Sequence, residues 1–140
     1  MTSPLERLSG PSKSLVAEPA DAKEFETLRD SGLARLKDAE VPTLSLDGRF
    51  DLAYNAAHAM SLAALRWHGY RAHNRYIVFQ VLPHTLGLGP EVWRVLAKAH
   101  DLRNASEYVG KFDVDERIVS DLIGAARKVA AKVKELKARG

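Results

Sequence analysis

The chain has 140 residues, which is enough for one domain with a hydrophobic core and too few for two domains of ordinary size. Hydrophobic residues make up 46% and charged residues 28%, so the composition excludes a wholly disordered chain and a fibrous repeat. The formal net charge of +3 is compatible with a nucleic-acid partner without requiring one. Cysteine is absent, which excludes disulfides, thiolate metal sites and cysteine nucleophiles.

The sequence also indicates in which compartment the protein is found and whether it crosses a membrane. A chain without cysteine suits the reducing cytoplasm, and residues 1–7 are not followed by the apolar segment of a secretory signal. The most apolar stretch, residues 52–65, is shorter than the roughly 20 residues that span a bilayer. We therefore expect a cytoplasmic protein with no membrane partner.

The first twenty residues differ from the remainder of the chain. They contain three of the six prolines and four serines, so we predict an extended N-terminal arm over residues 1–20. Its apolar side chains could attach it to the domain; they are Leu5, Leu8, Leu15 and Val16. Asp21, with Glu24 three residues later, is a plausible N-cap for the first helix and marks the start of a helical domain over residues 21–140.

The apolar spacing in this domain is helical throughout. The second predicted helix is apolar nearly all round, which indicates the central helix of a bundle. Its predicted core residues are Leu52, Ala56, Ala59, Met60, Ala63 and Leu65. Pro90 fits the first turn of the fourth helix, and the fifth shows the cleanest helical period of the chain. The predicted helices cover about 21–39, 47–68, 73–86, 90–109 and 115–137. No segment alternates convincingly as a strand would, so the prediction is an all-α, four- to five-helix up-and-down bundle without a sheet.

The fourth predicted helix carries a varied polar face. At about 100° per residue, this face and its flanks combine six polar side chains: His100, Arg103, Asn104, Glu107, Tyr108 and Lys111. His100 and Arg103 are one turn apart, close enough to contact the same phosphate. A solvated helix face is the alternative interpretation. A functional face is favoured by its variety, because plain solvated faces rely mainly on lysine and glutamate.

The second predicted helix has a polar line of its own, formed by Asn55, His58 and Ser61. A buried polar group without a partner costs about 1–3 kcal/mol, so these groups either bond one another or line a cleft. A hydrogen-bonded core histidine is the simpler interpretation of His58. The five histidines show no His-x3-His spacing, so no metal site is predicted.

Two stretches resemble a known family. Residues 49–58 read Arg-Phe-Asp-Leu-Ala-Tyr-Asn-Ala-Ala-His, and residues 103–108 read Arg-Asn-Ala-Ser-Glu-Tyr. In this order and within an all-helical chain, they resemble the HEPN (higher eukaryotes and prokaryotes nucleotide-binding) family, in particular its bacterial branch with an Arg-Asn-x-x-Glu-Tyr motif. The resemblance covers about residues 21–137.

The resemblance implies a helical bundle that often forms a symmetric homodimer. Active members are metal-independent ribonucleases, commonly toxins or defence effectors, and some are neutralised by a nucleotidyltransferase antitoxin. Their motif is an arginine, four to six residues, and a histidine. The arginine holds the phosphate, the histidine assists proton transfer, and no metal or cofactor is required.

This sequence departs from that motif at one catalytic position. Arg103 and Asn104 match it, but Tyr108 stands where the histidine would be, and a phenol with a pKa of about 10 is a poor base. Members of the family that are modified by an antitoxin carry a tyrosine two residues after the histidine. In this sequence the corresponding position is Gly110.

Three hypotheses follow from this departure. His100 supplies the missing imidazole beside Arg103, which gives a ribonuclease. Alternatively, the face binds RNA or a nucleotide without cleaving it, through Arg103, Asn104, Glu107 and Tyr108, supported by Tyr54, Asn55 and His58. The third hypothesis is a degenerate, non-catalytic interaction or dimerisation module that partners a nucleotidyltransferase.

Overall fold

A computed structural model describes residues 3–109 and 114–139, apart from the side chains of residues 106–109. The described residues form seven helices and two short strands. In chain order these are α1 (Pro4–Arg7), β1 (Leu15–Ala17), α2 (Ala22–Ala39), α3 (Leu46–Trp67), β2 (Tyr70–Ala72), α4 (Arg75–Gln80), α5 (Leu82–Thr85), α6 (Pro90–Val109) and α7 (Glu116–Val133). The predicted all-α bundle is confirmed.

Side-chain caps fix the starts of the long helices. Asp21 accepts a hydrogen bond from the backbone N–H of Glu24, as its spacing predicted, and Asp115 caps α7 in the same way. Ser45 caps α3, which therefore begins at Leu46, one residue before its predicted start. Each cap satisfies one backbone donor that the first helical turn leaves without a partner.

Helix α3 is the central element, packed between α2 and α7. The residues predicted to be its core are buried, with the exception of half-buried Leu52; the buried ones are Ala56, Ala59, Met60, Ala63 and Leu65. Gly32 of α2 faces Met60 and the carbonyl of Ala56, where a side chain would meet atoms of α3. The missing side chain lets these two helices approach closely.

The single helix predicted over residues 73–86 is wrong in one respect, because two short helices occupy this segment. Helix α4 ends at Gln80, and α5 begins at Leu82 with Pro83 in its first turn. Pro83 has no N–H to donate to the carbonyl of Phe79, so the hydrogen-bond ladder of α4 cannot continue through it. The break is therefore a local effect of Pro83.

The expectation of no sheet is also wrong, because β1 and β2 pair as a two-stranded antiparallel sheet. Leu15 lies opposite Ala72, and Ala17 lies opposite Tyr70. Strands of three residues are too short to show the alternation that identifies strands in a sequence. Their pairing also joins segments far apart in the chain, which local patterns do not record.

The N-terminal segment packs onto the domain through two of its four apolar residues. Leu5 and Leu15 are buried in a small cluster with Leu65, Val78 and Val81. The other two, Leu8 and Val16, are 36% and 43% exposed. The cluster places residues 5–15 against the end of α3 and against α4.

Arg66 anchors this segment from inside. Its side chain is 2% exposed and pairs with Glu24 of α2. It also donates to the backbone carbonyls of Glu18, at 2.9 Å, and of Pro19, at 2.7 Å. Arg71 bonds the carboxylates of Glu18 and Glu24 from the exposed side. Hydrogen bonds from Arg71 and Arg66 lower the pKa of Glu18 and the pKa of Glu24, respectively.

The C-terminal helix is shorter than predicted. Helix α7 ends at Val133 and not near residue 137, and the following residues turn back onto the end of α3. Trp67 donates its indole N–H to the carbonyl of Lys137 at 2.6 Å, and the guanidinium of Arg139 lies 3.9 Å from its ring centroid. None of the described helices has the length and apolar character that a membrane span requires.

Candidate functional site

The polar face of α6 meets α3 at Tyr54. This tyrosine is 1% exposed, and its ring packs edge-on against Phe79 of α4 at a centroid distance of 5.9 Å. The hydrophobic period of α3 directs Tyr54 toward the core, while its hydroxyl reaches the α6 face. Buried tyrosines generally place their hydroxyl on a hydrogen-bond partner. The partner here is His100.

Both ring nitrogens of His100 are hydrogen-bonded. Nδ1 lies 2.9 Å from the hydroxyl of Tyr54, and Nε2 lies 3.1 Å from the amide nitrogen of Asn104. These two hydrogen bonds fix the imidazole plane, and they occupy both ring nitrogens that a general base could use.

Arg103 lies beside this chain and joins the two helices. Its guanidinium carbon is 5.1 Å from the centroid of the Tyr54 ring, a cation–π geometry. One of its nitrogens is 3.6 Å from a carboxylate oxygen of Asp51, and its side chain is 24% exposed. Arg103 is therefore held against α3, yet part of it still reaches solvent.

His58 lies one turn after Tyr54 on α3, edge-on to Phe79 at 6.0 Å. Its pKa is lowered from 6.5 to about 4, mainly by burial and in smaller part by electrostatic interactions with Arg75, His100 and Arg103. His58 is thus a neutral imidazole at neutral pH.

The protonation of His58 predicts a pH dependence of stability. Because its folded pKa is below its unfolded value, the unfolded chain binds the proton first as the pH falls. The free energy of unfolding should be at its full value above about pH 6.5. It should fall by up to about 1.4 kcal/mol per pH unit toward pH 4, which denaturant titrations would measure.

His58→Gln should remove that decrease, whereas His84→Gln should retain it, because His84 is exposed on α5. If the curves of wild type and His58→Gln stay parallel between pH 6.5 and 4.5, the assignment to His58 is wrong.

Five of the predicted site residues come together around one point. They are Tyr54, His58, His100, Arg103 and Asn104. Asn55 does not join them, because its amide donates to the carbonyl of Asp51 within its own helix. The side chains predicted at Glu107 and Tyr108 lie outside the described residues. Ser61 of the same polar line is fully buried and has no hydrogen-bond partner among the described side chains and backbone.

Sequence reasoning missed the contribution of α4. Arg75 lies with its guanidinium carbon 5.8 Å from the Tyr54 ring centroid, and the ring of Tyr76 is 6.0 Å from that of His100. Their segment was correctly expected to be helical, but helical periodicity does not indicate which neighbour a helix packs against. The cluster is thus built from α3, α4 and α6.

The chemistry of this cluster is that of anion binding. It presents guanidinium, imidazole and carboxamide groups, which suit phosphate or carboxylate oxygens. Within the part of the chain that the structure describes, no three His, Asp or Glu side chains are grouped to hold a metal ion.

Comparison with known proteins adds no relative. No family model, curated protein or solved structure matches this chain.

Proposed function

We propose that this chain is an HEPN-type protein that binds RNA or a nucleotide through the α6 face centred on Arg103. One observation supports the proposal most directly. Two residues of α6, His100 and Arg103, both contact the buried Tyr54 of α3, and Asn104 is hydrogen-bonded to His100. Together they provide oriented N–H donors beside solvent, an arrangement that suits the oxygens of a phosphodiester.

The proposal extends to the context that the resemblance implies. In a cytoplasmic homodimer, two copies of the Arg103 face would meet in one cleft and contact RNA from two sides. A nucleotidyltransferase antitoxin is the proposed partner, and a toxin–antitoxin or defence system is the proposed setting.

Binding is better supported than cleavage. A general base at His100 would need a free lone pair on Nε2, and this atom is hydrogen-bonded to Asn104. The exposed position of Asn104 would allow a ligand to displace its amide. Ribonuclease activity would then use Arg103 for the phosphate and His100 for the proton of the 2′-hydroxyl, without a metal.

A second candidate function rests on the same arginine. Arg103 lies over Tyr54 and 3.6 Å from Asp51, so it connects α6 to α3. In a non-catalytic interaction module, this connection would be its whole role, and α6 would present a fixed surface to another copy or to a partner protein.

The Arg103→Ala variant separates the two candidates. If Arg103 binds phosphate, its loss should weaken binding of a labelled single-stranded RNA by about 1.5–3 kcal/mol, the scale of a charged hydrogen bond, with the fold retained. Arg103→Lys should recover only part of this affinity, because the planar fork is lost. Fluorescence anisotropy measures the affinity, circular dichroism the melting temperature, and gel electrophoresis the integrity of the RNA.

Asp51→Asn is the matched control, because it removes the charge partner and keeps Arg103. It should leave RNA affinity unchanged or raise it, since one competing carboxylate is lost. A lower melting temperature in both variants, with RNA affinity unaltered for the folded protein, would support the interaction module and contradict the RNA-binding proposal.

A further inference from the structure

Arg75 is a second guanidinium at the candidate site. It is the first residue of α4, and the side chain of Asn74 caps that helix by accepting a hydrogen bond from the N–H of Ile77 at 3.0 Å. The cap fixes the direction in which the chain enters α4 beside α3. The side chain of Arg75 is exposed, and its guanidinium lies over Tyr54.

Two guanidiniums therefore share one aromatic ring. Their carbons lie 5.1 Å (Arg103) and 5.8 Å (Arg75) from the centroid of Tyr54. Two positive charges near one ring repel each other, and an anion beside them reduces this repulsion. Cation–π contact with Tyr54 also offsets part of it, and the exposed guanidinium of Arg75 can still donate hydrogen bonds to a ligand.

The two guanidiniums differ in the negative charge that lies near them. Asp51 lies near Arg103, whereas Arg75 forms no ion pair or side-chain hydrogen bond with any residue that the structure describes. His58 reports the resulting positive potential, because its pKa is lowered in part by Arg75 and Arg103. Among the described residues, the exposed guanidinium of Arg75 thus has no carboxylate paired with it.

We infer that Arg75 is a phosphate-binding residue, and that Arg75 and Arg103 together hold two neighbouring phosphate groups of a nucleoside-containing ligand. This inference rests on the proposed function and adds to it a residue from a different helix. Two successive phosphodiesters of single-stranded RNA and the two phosphates of a nucleoside diphosphate share this chemistry. Two guanidinium groups near one ring can donate to both.

The experiment compares Arg75→Ala with Arg94→Ala. Arg94 is also an exposed arginine over an aromatic ring, 5.7 Å from the centroid of Trp93, but it lines the groove between α6 and α7. Both variants lose the same charge, so non-specific attraction to a polyanion should change equally in both. A short labelled single-stranded RNA and ADP serve as probes, each titrated over a range of salt concentrations.

Arg75→Ala should weaken RNA binding at least about tenfold, while Arg94→Ala should stay within about twofold of wild type. The slope of log affinity against log salt should become shallower by about 0.7 in Arg75→Ala alone, the value for one phosphate contact on a single strand. Arg75→Lys should keep the slope and recover part of the affinity. A parallel loss of ADP affinity would identify the diphosphate as a sufficient ligand. Loss with RNA alone would identify successive phosphodiesters.

Three results would overturn the inference. If Arg75→Ala and Arg94→Ala lose RNA affinity equally, the effect comes from the net charge of the protein and not from a contact between Arg75 and a phosphate. If Arg75→Ala binds RNA with wild-type affinity and Arg103→Ala binds it clearly more weakly, Arg75 does not contact the ligand, and the proposed function still stands. If the wild-type protein binds neither RNA nor ADP, both the proposed function and the inference about Arg75 are wrong.

Discussion

Replacing Met60 by aspartate is expected to abolish soluble expression of the folded chain. Met60 is fully buried in the middle of α3, where it lies against Gly32 of α2. A carboxylate there would have no counter-ion and would lose its hydration, at a cost of several kcal/mol. That cost is comparable with the whole stability of an ordinary domain, about 5–15 kcal/mol.

Met60→Leu is the control for this substitution. It keeps the apolar character and nearly the volume of the side chain, so it should cost less than about 1.5 kcal/mol. The yield of soluble protein and the circular dichroism spectrum of both variants provide the measurement. A soluble Met60→Asp protein that melts at the wild-type temperature would show that α3 is not the central helix.

Arg66→Ala should be the second most damaging substitution, although it removes a charge and not an apolar side chain. It would leave the carboxylate of Glu24 and the carbonyls of Glu18 and Pro19 without their buried donor. Arg71 still pairs with Glu24, so the cost comes mainly from the two carbonyls, at about 1–3 kcal/mol for each acceptor left unsatisfied, and from the volume that the buried side chain vacates. For a chain of this size, the melting temperature should fall by roughly 10 °C or more.

Arg71→Ala provides the matched comparison. Arg71 binds the same two carboxylates, but its side chain is 39% exposed, so its ion pairs are screened by solvent. Its removal should cost about 1 kcal/mol or less. Limited proteolysis within residues 8–14 should accelerate in Arg66→Ala and stay nearly unchanged in Arg71→Ala. Equal melting temperatures for the two variants would contradict this account of Arg66.

The helices that the sequence predicted well are those with local signals. Asp21 caps the helix that it was expected to cap, and Pro90 begins α6. A local signal was also available at Pro83, whose missing N–H explains the break between α4 and α5. Caps and prolines act within one turn, so they can be interpreted without knowledge of the fold.

The candidate site was predictable only where it lies on one helix. The 3.6-residue period placed His100, Arg103 and Asn104 together on α6. Arg75 could not be added, because its position over Tyr54 depends on how α4 packs against α3. The role of Arg66 was equally hidden. A single arginine in an apolar helix does not reveal that its partners lie in the N-terminal segment.

The Arg66 anchor also sets an order of events during synthesis. Leu15 and Glu18 leave the ribosome before their partners Arg66 and Ala72, which follow about fifty residues later. At about 5–20 residues per second, the earlier segment remains without its partners for several seconds. Residues 5–18 therefore cannot close over α3 and β2 until residues 66–72 have been made, although they are themselves made earlier.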